Sequence, residues 1–358
     1  MTKNILFLLV LLLGSTYAQA TIWTVSNSGG TPAQFSDLQI AHNTALAGDT
    51  LFVHASGFTY GDVQITKTIT IIGEGYSGAT TTTIHNVDFT NINASNSSLI
   101  GLKITGDIDA NLVSSGSTVD AVSIERCYLM DNTGTTYNAR IEGTKIISRG
   151  NNWIIRHCIV VNTELCYGYA RSSPAYGTGW IIANNWIHNN DNATTTTTYT
   201  INELNGAIIE NNYILDTDNA IENTSNSIVK NNMFDGVLDL DDNNDPSNVI
   251  QNNLANNALF NATNGNLPNT TPLFVVGATY PSFNVLTTAD LQLQPSSLAN
   301  GAGVGGTDMG IHGGATPMPL PPYDGKAAKP SIEQLIIQNP VVGQGQFLKF
   351  NIEAKTRD

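Results

Sequence analysis

Cysteine is scarce: Cys127, Cys158 and Cys166 are the only three in 358 residues. A disulfide framework therefore does not hold this protein together, and no zinc-ligand spacing exists among the three. An odd count leaves at least one thiol without an intramolecular partner. Positive charge is scarce as well, with Lys+Arg 15 against Asp+Glu 29 and a formal net charge of −14. A nucleic-acid binder needs clustered Lys and Arg to displace counterions from phosphates, so that class is excluded. A polyanionic glycan is disfavoured unless cations bridge the contact, whereas neutral glycans are not. The six histidines are scattered, and neither a Ser or Cys nucleophile motif nor a phosphate-cradling glycine loop occurs.

Long apolar runs are confined to the first twenty residues. Lys3, the apolar stretch 5–13 and Ala18-Gln19-Ala20 have the layout of a signal peptide with a small-residue cleavage site. Its apolar part is too short to span a bilayer stably. We expect residues 1–20 to be removed and the mature chain to be secreted or held at the cell surface, with no transmembrane segment after cleavage.

What the chain does have is a repeat. Apolar, apolar, variable, polar, Asn or Cys, bulky, apolar recurs at residues 123–129, 154–160, 181–187, 208–214, 228–234 and 249–255. The copies are short and β-branched, and their linkers are rich in Asn, Thr, Ser and Gly, which indicates strands rather than helices. Such strands bury themselves by stacking coil on coil, with neighbours about 4.8 Å apart. Arg126 and His157 occupy the first polar position and cannot be buried unpaired in an apolar core, so that position is an outward bend. The second position then points inward. Cys127, Cys158, Asn185, Asn212, Asn232 and Asn253 form an interior file, with the Asn amides bonding along the axis.

The expected fold is all-β, a right-handed parallel β-helix solenoid over residues 21–315, with an N-terminal capping helix and a short C-terminal β extension. The helix is signalled by Ser36-Asp37-Leu38-Gln39, by Leu38, Ala41 and Ala45 on one face, and by Gly48 as its stop. A Pro-rich linker is expected over 316–330, then a β cap or incomplete sandwich over 331–358, with strands near 332–338 and 347–353.

Ala41, Ala45 and Gly48-Asp49-Thr50-Leu51, followed by residues 68–76, resemble the opening of bacterial secreted β-helix proteins of the pectate-lyase-like superfamily. The glycine-rich segment 303–314 resembles their closing segment. The likeness covers residues 22–315 and implies fold more than function, because that fold hosts lyases, hydrolases, binders and adhesins. Enzymes of the superfamily mostly act on polysaccharides, and its lyases usually place an Arg or Lys base near cation-binding acids. No such base must accompany the acids found here, and the paired-Asp motifs of its hydrolases are not apparent.

Two outer files carry candidate chemistry. Glu164, Asp191 and Asp218 each lie six residues after the inward position. Stacked, they would make a Ca²⁺ site or a catalytic acid/base pair for glycoside hydrolysis; in turns of unequal shape they would be a solvated acidic edge. Tyr128, Trp186 and Tyr213, with Ile159, Met233 and Leu254, follow the inward position directly and face outward. They would serve as a stacking platform for sugar rings, unless adjoining turns fold over them as a satellite core. The Asp239–Asp245 run has a D-x-N-x-D core, but Pro246 stands where an EF-hand needs Gly. It reads as a polar loop or a looser Ca²⁺ turn. Glu125 beside Arg156 and Glu210 beside Lys230 read as surface ion pairs. The functional expectation is a protein that binds polysaccharide without turnover. The alternatives are a polysaccharide lyase or glycoside hydrolase, and a structural or adhesive rod.

Overall fold

The computed structural model describes residues 20–110, 112, 117–130, 144–165, 177–188, 199–215, 219–237, 239–240, 245–275, 291–320, 325–326, 330–337 and 350–356. Three parallel sheets carry the chain, and each coil contributes a strand to them in turn. Sheet 1 has ten strands, from Ile22–Val25 through Ser123–Glu125, Ile154–Arg156, Ile181–Ala183, Ile208–Glu210 and Ile228–Lys230 to Val249–Gln251. Sheet 2 has eight, running from Thr83–Ile84 to Leu254–Ala255, and sheet 3 has seven, running from Val63–Ile65 to Asn219–Glu222. The architecture is a parallel β-helix, as the repeat predicts.

One coil shows why the sequence folds this way. Ile208–Glu210 sends Ile209 inward, fully buried, and leaves Ile208 and Glu210 part-exposed outside. Asn211 turns the chain at φ 55°, and Asn212 points into the lumen before Tyr213–Leu215 begins the next sheet. The bend recurs with φ between 51° and 58° at Arg126, His157, Asn184, Asn231 and Asn252. Asn tolerates this left-handed region better than most residues, which explains its frequency there.

The interior file is a continuous amide ladder. Asn185 donates its backbone N–H and Nδ2 to Asn212 Oδ1, both at 3.0 Å, and Nδ2 also reaches Ile155 O at 2.9 Å. Asn212 bonds Asn232 and Ile182 O in the same way, and Asn232 bonds Asn253 and Ile209 O. The ladder extends one rung beyond the sequence reading. Asn266 Oδ1 accepts from the Asn253 backbone N–H at 2.9 Å. At the other end Cys158 and Cys127, fully buried free thiols, continue the file with sulfur in place of amide. Cys158 Sγ–H points to Ile124 O at 3.5 Å, the bond an Asn amide would make. Burial first, and the neighbouring Cys127 thiol second, push the Cys158 thiol well above its ordinary range.

Around the ladder lies one apolar core. Trp153 and Trp180 stack in it at 5.2 Å and 7°, and each indole N–H donates at 2.8 Å to a carbonyl of the preceding coil, Val119 O and Gly150 O. Helix α1, Leu38–Thr44, covers the first coil with Leu38 and Ala41 buried, followed by Ala45. Its N-cap is Asp37, not Ser36: the carboxylate accepts from Ile40 N at 2.8 Å. Lys67 Nζ donates to His42 O and Ala45 O at the other end of the helix. Beyond the solenoid, Pro330–Ile337 and Phe350–Thr356 pair antiparallel, the first starting two residues before the expected strand and the second lying three residues after it.

Candidate functional site

The outer files follow from register, so their geometry starts with strand pairing. Sheet 2 pairs Tyr128 with Ile159, Ile159 with Trp186, Trp186 with Tyr213, Tyr213 with Met233 and Met233 with Leu254. The file runs outward from the lumen, as expected. It is not an open platform. Tyr128 is 7 % exposed, Trp186 0 % and Tyr213 1 %, in a second apolar cluster outside the solenoid. Phe274, Leu291, Ala299, Met309, Ile311 and Met318 complete that cluster from the far end of the chain. Tyr213 meets Phe274 edge-on at 5.2 Å and donates its hydroxyl to Asp235 Oδ2 at 2.9 Å. The satellite core is therefore the arrangement found, and among the described residues a distant segment supplies cover.

That segment is a strap held by the bend residues themselves. Asn252 Nδ2 donates to Ala302 O at 2.8 Å, and Val304 N donates to Asn231 Oδ1 at 2.8 Å. Asn211 Nδ2 reaches Asp308 O and Gly310 O, and Asn184 Nδ2 reaches Ile311 O and Gly313 O, both at 2.9 Å. His157 Nε2 donates to Thr316 O at 2.7 Å, and Arg126 Nη1 to Lys326 O at 3.2 Å. Successive strap residues thus meet successively earlier coils. The strap is glycine-rich because it runs so close to the solenoid: a Cβ at Gly310 would collide with Met233 Cε, and one at Gly313 with Asn211 Nδ2. Part of the stretch expected to be a Pro-rich linker belongs to it. Met318 is buried, its N–H donates to Ile311 O at 2.8 Å, and Gly325 packs on Tyr76.

Burial, with Arg156 and Arg126 nearby, holds the His157 imidazole below the ordinary histidine range. Burial also lowers Lys103, whose ammonium lies 5.9 Å from the Tyr128 ring centroid.

Of the acidic file, Glu164 alone lies among the described residues. Sheet 3 pairs Lys145 with Glu164 and Leu165 with Ile201, so the rung beside Glu164 in the next coil belongs to Thr200. Ile201 pairs with Ile221, which gives the rung after that to Ala220. The segments between sheets 2 and 3 differ in length from coil to coil. Glu164 Oε1 accepts from Asn202 Nδ2 at 3.2 Å, and Asn202 Oδ1 from Asn223 Nδ2 at 3.1 Å. Asp191 and Asp218 lie outside the described residues, as do residues 241–244 of the acidic loop. Asp245 is engaged locally, accepting from Ser247 N and Oγ. Among the described residues no group of three His, Cys, Asp or Glu is placed to hold a metal ion.

The surface ion pairs stand as the sequence suggests. Arg156 Nη2 lies 3.0 Å from Glu125 Oε1, and Lys230 Nζ 2.9 Å from Glu210 Oε2. Missed from sequence were Asn266 and the strap. Asn264-Gly265-Asn266-Leu267 carried the first signal and the apolar alternation Met309-Gly310-Ile311 the second. No family model matches the chain, and no curated protein matches it either.

Proposed function

We propose that the chain is a stiff, non-catalytic rod acting outside the cell as a spacer or adhesive support. The strap carries this reading. A segment that bonds six consecutive bends ties each coil to its neighbours a second time, so bending or splaying the solenoid breaks side-chain bonds as well as ladder bonds. Closing the aromatic file also spends its apolar surface on rigidity. Small-angle scattering on the purified protein tests the shape: ten strands at about 4.8 Å set a solenoid roughly 43 Å long before its caps. A particle that unfolds in one transition and neither retains nor cleaves glycans on a panel supports the rod. Turnover of any glycan refutes it.

A second reading has a specific observation behind it. Tyr128, Trp186 and Tyr213 face away from the lumen under residues from the far end of the chain, Phe274, Leu291, Ala299, Met309, Ile311 and Met318 among them. A chain that lifts this cover, Phe274 included, would bare them to a neutral polysaccharide, which stacks its C–H faces on flat rings. Retention on a neutral glycan column, lost in Trp186→Ala, with no product formed, would favour binding. The lyase or hydrolase reading rests on Asp191 and Asp218 and would be established by product formation that Asp191→Asn abolishes.

A further inference from the structure

We infer that the outer face of sheet 1 pairs with a second copy of this chain, the two solenoid axes antiparallel. Two files run along that face. In one, Ile154, Ile181, Ile208, Ile228 and Val249 stand in register, the isoleucines part-exposed and Val249 46 % exposed. This apolar stripe is about 19 Å long at 4.8 Å per rung. In the other file, the rungs in order are Glu125, Arg156, Ala183, Glu210 and Lys230. Read from its centre at Ala183, this order changes sign on reversal.

That antisymmetry is what an isologous interface requires. A two-fold axis lying in the interface, parallel to the strands and passing through the Ile181–Ala183 coil, maps the charged file onto itself in reverse. It sets Ile154, Ile181 and Ile208 against one another, while Ile228 and Val249 meet Ser123 and Ser98 of the second copy. Arg156 then faces Glu210 of the second copy, and Glu125 faces its Lys230. Ile181 meets its own counterpart, and Ile154 meets Ile208. The other face-to-face arrangement, with axes parallel, lays the isoleucines on the charged file and matches nothing. The ion pairs already formed within each chain, Glu125–Arg156 and Glu210–Lys230, would become alternating networks across the contact.

The area sets the strength. With the two-fold through the seventh of ten strands, seven rungs overlap, and a face about 29 Å by 10 Å buries roughly 580 Å² over both copies, below the ~1,200–2,000 Å² of stable complexes. The pairing is accordingly weak and concentration-dependent.

Sedimentation velocity on the whole chain, from about 1 μM to 1 mM, is the test, with circular dichroism confirming that each variant folds. A monomer–dimer equilibrium is expected. Arg156→Glu should weaken it at least tenfold. Arg156→Glu with Glu210→Arg should restore it, because the cross-chain pairs return with exchanged sign while both intrachain pairs become like-charged. Ile181→Glu, which sets two carboxylates face to face at the centre, should abolish it. A protein that stays monomeric up to 1 mM overturns the inference. So does a dimer indifferent to Ile181→Glu, or a double variant no better than Arg156→Glu alone.

Discussion

Asn212→Ala is the most direct test of the interior ladder. The Asn212 side chain is fully buried and takes part in four bonds: Nδ2 to Ile182 O and to Asn232 Oδ1, and Oδ1 from Asn185 N and Nδ2. Asn185 Nδ2 keeps Ile155 O, and Asn232 Oδ1 keeps the Asn212 backbone N–H. Two groups lose this ladder partner in a dry lumen, the Asn185 N–H and the Ile182 carbonyl. At about 1–3 kcal/mol each, and with a small cavity added, the loss is about 3–5 kcal/mol. Urea unfolding should show the midpoint falling at unchanged slope. Amide exchange should locate the damage, with Asn185 N–H losing more protection than amides in the first coils. A loss below about 1 kcal/mol, or an Asn185 amide as protected as before, would refute the ladder as a source of stability.

The opposite change is expected of Cys158→Asn. Asn is close to Cys in size, its amide would reach Ile124 O, and its oxygen would take the Cys127 N–H, giving about 1 kcal/mol of added stability in the same urea assay. Gly313→Val should lift the strap, since its Cβ would meet Asn211 Nδ2 on the solenoid; quenching of tryptophan emission by acrylamide should rise as Trp186 becomes accessible, while far-ultraviolet dichroism is unchanged. His157 is held neutral by the fold, so the unfolded chain binds more protons as pH falls below about 6.5. Its contribution is complete above that pH and is lost as pH drops toward the lowered folded value, at no more than about 1.4 kcal/mol per unit. Melting curves between pH 7.5 and 5 should show this slope reduced in His157→Gln; an equal slope in both proteins would rule out His157 as its source.

Much of the fold was legible because the repeat is written in residues with few alternatives. An Asn at a left-handed bend followed by an Asn in a dry lumen leaves a recognisable pair, and Arg126 and His157 show which member points out. The outer files were harder to read for two physical reasons. Register in a solenoid is carried by strand pairing, and loops of unequal length hide it from a residue count: the rung next to Glu164 belongs to Thr200. Exposure is not a property of one coil either. Trp186 looks bare until Ile311, more than a hundred residues later, lies down beside it. The outward direction of Trp186 was local information; its cover was not.

The strap also decides where the polypeptide departs. A solenoid that simply ended would release its chain at the last coil, near Asn252. Here Lys326 lies against Arg126, five rungs back toward the start, and Gly325 against Gly101, six rungs or roughly 29 Å back, and against Tyr76. Anything tethered after residue 326 therefore hangs from the flank of the early coils, and the far tip of the cylinder points away from its own anchor.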